Sequence, residues 1–138
     1  MEYSYLLNAS LAIKIHLLTA VVAFLIGLIQ LLSRKGTVRH KWLGYLWVVL
    51  MLTICLASFG IKEIMPMSVV FGYSPIHLLS IWVLFQVFRG LYFARIGNII
   101  KHKRCMLSTY FGGLIIAGVF TLMPGRLLYK TFVATILN

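Results

Sequence analysis

Four apolar runs, each about 20 residues long, take up most of this chain and leave it few ways to fold. At about 1.5 Å of rise per residue, a run of that length crosses a hydrocarbon core of roughly 30 Å as a helix. The runs cover about Leu11 to Ser33, Trp42 to Ile61, Ile76 to Gly97 and Met106 to Met123. Only 11% of the 138 residues are charged, and the mean hydropathy is +0.99. A soluble domain would carry about a quarter charged residues. The fold class expected is therefore an all-α membrane protein. It forms a single domain, 1–138, built as an up-down-up-down bundle of four transmembrane helices, with no soluble catalytic domain attached.

Charge gives the bundle a direction. The net charge is +11, and Arg34, Lys35, Arg39 and Lys41 join the first two runs. Arg95, Lys101, Lys103 and Arg104 join the last two. Short loops rich in Lys and Arg stay in the cytoplasm, so both basic stretches are expected there. The two termini and the Lys62–Ser74 connection then face outward, into the periplasm of a bacterial inner membrane. The basic stretches suit anionic lipid headgroups, and no nucleic-acid partner is expected. The opening residues MEYSYLLNAS lack a basic segment and a small-residue cleavage site, so the first run reads as a true span. Trp42, Trp47, Tyr3, Tyr5 and Tyr73 fall near span ends, where interfacial anchoring explains them. Cys55 lies mid-span and Cys105 in the second basic stretch, at depths too different for a disulfide. Pro124-Gly125 ends the fourth run, and the tail from Arg126 to Asn138 is expected to lie on the membrane as a short interfacial helix.

The chain repeats itself. Ile15-His16-Leu17-Leu18-Thr19 is matched by Ile76-His77-Leu78-Leu79-Ser80, and Arg39-His40-Lys41-Trp42 by Lys101-His102-Lys103-Arg104. The bundle thus reads as two tandem helical hairpins, about 11–61 and 76–123, in the same orientation. All four histidines belong to the repeat. His16 and His77 fall at one depth, His40 and His102 at another, and alternate helices of such a bundle are diagonal neighbours. Two bis-histidine layers, about 25 Å apart along the membrane normal, follow from the rise of a helix.

Imidazole is a common ligand of metals and of haem iron. Structural zinc normally takes four protein ligands, whereas a porphyrin supplies four nitrogens and needs only two axial histidines. Haem b, one or two per chain, is therefore the expected cofactor, with His16, His77, His40 and His102 as ligands. Gly27 and Gly90 would let a flat macrocycle approach the backbone. Arg39, Arg89, Arg95 or Lys41 would pair with propionates, since arginine grips carboxylates with two parallel bonds. Arg126, beyond the last span, could meet a propionate, a quinone or an anionic reductant, or simply anchor the chain. The spans contain no acidic residue, which argues against a proton pump or an ion-coupled transporter. His40 and His102 also have a plain reading as headgroup contacts, and the span glycines as helix-packing positions.

His40-Lys41-Trp42-Leu43-Gly44, Ser74-Pro75-Ile76-His77-Leu78-Leu79-Ser80, His102-Lys103-Arg104 with Met106 and Tyr110, and Ala117 to Arg126 resemble a bacterial four-helix family of predicted membrane proteins of unknown function. That resemblance implies the architecture and no activity. A more distant resemblance is to the four-helix core of the cytochrome b561 superfamily. It implies an outer haem on His16 and His77 and an inner haem on His40 and His102, with shorter loops here. The function expected is a di-haem b cytochrome carrying electrons between the membrane faces. A quinol would be one partner, with a donor or acceptor at either face. The alternative is a cofactor-free accessory or scaffold subunit, paired with a second copy or held in a larger complex. A small-molecule or metal permease ranks last, for want of polar groups lining a path.

Overall fold

A computed structural model describes residues 8–61, 75–122 and 129. The Lys62–Ser74 connection, Arg126 and the tail expected to lie on the membrane fall outside the described residues, apart from Tyr129. Four helices are long and apolar enough to cross a membrane, as expected. They are α1 (Leu11–Leu32), α2 (Val38–Phe59), α3 (Pro75–Arg95) and α4 (Ile99–Thr121). The described residues contain no strand.

Both hairpins turn in the same way. Gly36 and Gly97 have φ of 78° and 77°, the left-handed region that a side chain resists. Thr37 and Asn98 follow them as N-caps, each accepting a backbone N–H three residues on, from His40 and Lys101. These caps start α2 and α4 inside the basic stretches. The stretches read as loops are therefore largely helical, and the turns shrink to the residues around each glycine. Polarity decides where a helix enters the membrane, but capping decides where it begins. The first turn is braced further by Lys35, whose ammonium donates to the carbonyls of Gln30, Leu31 and Ser33 at 2.6, 2.7 and 2.8 Å.

Each helix touches its two neighbours in a closed ring, with α1 meeting α4 along a π-helical segment, Thr109–Ile116. A cluster of Ala23, Trp47, Met51, Val87, Tyr110 and Leu114 fills the centre. Large residues there oppose small ones. A side chain on Gly113 would overlap Val83 and approach Met51, and one on Gly112 would press on Trp82. The outside is apolar: Leu18, Leu25, Leu56, Ile81, Phe85, Ile116 and Val119 are exposed, as suits a lipid solvent.

Two expectations are corrected here. Trp47 is no interfacial anchor: it is buried, and its Nε1–H donates to the Ala23 carbonyl at 3.0 Å, because a buried indole needs an acceptor. Cys105 is not in a loop but buried within α4.

Candidate functional site

The repeat places the four histidines toward the two ends of the bundle. His16 and His77 stand toward the end away from the basic turns. His16 is half-buried on α1, and its Nδ1 lies 3.0 Å from the Ile54 carbonyl of α2. A carbonyl oxygen can only accept, so Nδ1 carries the proton and Nε2 keeps its lone pair. His77 is buried on α3, with its ring 5.5 Å from that of Phe59. Between them Ser58 and Ser80 tie α2 to α3 at 2.7 Å. The Ser58 hydroxyl also lies 2.6 Å from the Cys55 carbonyl, which can accept its proton.

At the basic end His40 stands in the first turn of α2 and His102 in the first turn of α4. His102 repeats the device of His16: its Nδ1 lies 2.9 Å from the Gly90 carbonyl of α3, so Nε2 is again the free nitrogen. His40 differs. Its backbone carbonyl accepts from Gln30 Nε2 at 2.9 Å, while its Nδ1 and the Gln30 Oε1 are buried with no partner among the described residues. Two orphaned polar atoms on adjoining side chains are unusual in a folded interior.

The expected cradles are already occupied. The notch at Gly27 holds the Tyr110 ring and the Trp47 indole, and the notch at Gly90 holds the Met106 methyl and Cys105. Tyr110 is fixed there by stacking on Phe24, with centroids 5.8 Å apart, and by donating from its hydroxyl to the Phe24 carbonyl at 3.2 Å. Met106 is the end of a flexible chain and can turn aside; Tyr110 is held from two sides. Of the two notches, the one at Gly90 is closed by the more yielding side chain, the Met106 methyl, with Cys105 beside it.

The arginines are not gathered at the histidines. Arg39 is exposed at the start of α2. Arg89 is exposed on the stripe of α3 that carries Phe85, Phe88 and Tyr92, packed against Phe85 and Phe93. Arg126 lies outside the described residues. The Gln30 and Gln86 amides were missed in the sequence; each is a polar residue inside an apolar run, which is the signal that could have found them.

A family model described as "Predicted membrane protein (DUF2306)" matches residues 13–136. The chain belongs to the DUF2306 family. No curated protein and no solved structure matches it, and the resemblance to the cytochrome b561 core is not shown. Membership of DUF2306 agrees with the four candidate spans and assigns no activity.

Proposed function

We propose that this DUF2306 protein is a membrane cytochrome of b type, binding one or two haems and moving electrons across or along the bacterial inner membrane. The observation that carries the reading is the shared posture of His16 and His102. Toward opposite ends of the bundle, each gives its Nδ1 proton to a carbonyl of the neighbouring helix, at 3.0 and 2.9 Å. That bond fixes the tautomer and orients the ring, which is how ligand histidines are commonly held. His16 with His77, and His102 with His40, would supply the axial nitrogens. Arg39 and Arg126 are candidates for propionate contacts. Haem bound there supplies a one-electron couple tuned by its imidazoles and by burial. A quinol in the bilayer is the partner that a two-electron, lipid-soluble donor would provide. The basic end faces the cytoplasm on this reading, with both termini outside.

The test is spectroscopic. Protein purified from haem-supplied cells and reduced with dithionite should show sharp b-type bands. His16→Ala and His102→Ala should each remove part of the absorbance if two haems bind. Colourless protein sinks the reading.

The filled notches at Gly27 and Gly90 favour a second reading, a cofactor-free accessory subunit acting through helix contacts. Stable co-purification with a larger complex, together with full function of His16→Ala and His77→Ala, would support it.

A further inference from the structure

Near the basic end two cations converge on one aromatic ring. Arg89 Cζ lies 5.6 Å from the centroid of Phe93, and Lys101 Nζ lies 5.3 Å from the same centroid. Arg89 comes from α3 and Lys101 from the first turn of α4, so the pair spans the second hairpin. Arg89 is also held in place: its Cζ lies 5.7 Å from the Phe85 ring, and its Nη1 donates to Gln86 Oε1 at 3.5 Å. Gln86 in turn donates to Ser108 Oγ of α4 at 2.8 Å. Both cations are exposed. The chain has only two acids, Glu2 and Glu63, and neither is among the described residues.

Arg89 precedes Arg95, at the end of α3, by about 9 Å of helix. It lies on the exposed stripe with Phe85, Phe88 and Tyr92, which faces lipid once the protein is in a bilayer. A cation at that depth calls for an anion or for a path to the interface. Two cations held at one ring, with no carboxylate among the described residues, offer an anion two sets of donors. The first hairpin has nothing comparable: the repeat aligns Leu28 and Leu32 with Arg89 and Phe93.

We propose that Arg89 and Lys101 clamp the phosphate of an anionic phospholipid, whose acyl chains lie along Phe85, Phe88 and Tyr92. Guanidinium and ammonium donate to the phosphate oxygens, and the aromatic stripe receives the hydrocarbon. A lipid fits better than free phosphate because Arg89 shares its stripe with the exposed Phe85, Phe88 and Tyr92, which hydrocarbon would cover. The assignment does not depend on whether haem binds.

The test reconstitutes the whole protein in phosphatidylcholine vesicles containing a minor fraction of phosphatidylglycerol. Gentle detergent extraction and native mass spectrometry then count the lipids retained. Wild type should keep phosphatidylglycerol in preference to phosphatidylcholine. Arg89→Gln and Lys101→Gln should each cut that retention about tenfold, the loss of one charge-assisted bond. Arg89→Lys should recover part of it, and Arg34→Gln, on the other hairpin, should leave it unchanged. Equal retention of both lipids, or wild-type retention by Arg89→Gln, overturns the proposal. So does an equal loss in Arg34→Gln, which would mean diffuse attraction to the basic end. Displacement of the lipid by millimolar inorganic phosphate would make this a solution-anion site and overturn the lipid assignment. Lys101 is exposed at a helix start, so its variant remains informative if the Arg89 variants do not fold.

Discussion

The two hairpins turn alike and then diverge. From Gly36 to Gly97 and from Thr37 to Asn98 the offset is 61 residues, as it is from His16 to His77, but from His40 to His102 it is 62. His40 is thus the third residue of its helix and His102 the fourth. One residue turns a side chain about 100° around a helix. The consequence is visible in the bonds: His102 reaches the Gly90 carbonyl, while His40 leaves its Nδ1 without a partner and offers its backbone carbonyl to Gln30. A second divergence lies deeper. In α2 the buried residues Trp47, Val48, Met51, Ile54, Cys55 and Ser58 keep the α-helical period. In α4 the buried residues Cys105, Thr109, Tyr110 and Leu114 are spaced more widely, as the π-helical segment requires. Two copies of one hairpin have become two different walls: Gly27 of the first receives Tyr110 of the second, and Gly113 of the second lies against Val83 and Met51.

The largest expected contrast is at the two notches. Gly27→Ala should destabilise the bundle by about 1–3 kcal/mol, because the pinned Tyr110 ring cannot yield. Gly90→Ala should cost less than about 1 kcal/mol if Met106 swings away as a flexible side chain can. Thermal unfolding of both variants in detergent measures the difference, and equal losses would break the asymmetry. The turns should behave oppositely. Gly36→Ala and Gly97→Ala meet no atoms and pay only for a left-handed backbone, so each should lose about 1–2 kcal/mol, and by the same amount. Unequal losses would show that the shared turn geometry hides a difference in packing. The smallest contrast is at the offset histidines. His102→Leu should lose about 1 kcal/mol with its bond to Gly90. His40→Leu should be near neutral, since it removes an unsatisfied nitrogen. The same melting experiment reads both, and a costly His40→Leu would point to an unseen partner at Nδ1.

The helices and their number were legible because apolar run length acts locally. Leu11–Leu32 needs nothing beyond its own neighbours in sequence. Helix starts at Val38 and Ile99 were hidden because the capping residues lie among charges that read as loop. Trp47 was misread because only the partner helix, by presenting the Ala23 carbonyl beside the Gly27 notch, makes a buried position for it. The depth pairing of the histidines followed from the repeat, but which nitrogen each presents depends on carbonyls of Ile54 and Gly90 on other helices. The convergence of Arg89 and Lys101 is likewise a product of the hairpin, since the two residues approach only after α4 folds back on α3.

The packed centre has a bearing on leakage. Ala23, Trp47, Met51, Val87, Tyr110 and Leu114 form a layer that separates the polar groups toward one end from those toward the other. Trp47 and Tyr110 have polar atoms in this layer, but each spends its one proton on a carbonyl of α1, and the two add no link to a donor–acceptor chain among the described residues. A layer built mainly of apolar side chains gives water and protons little to follow. Such a layer keeps the polar groups toward the two ends of the bundle apart within a single short chain.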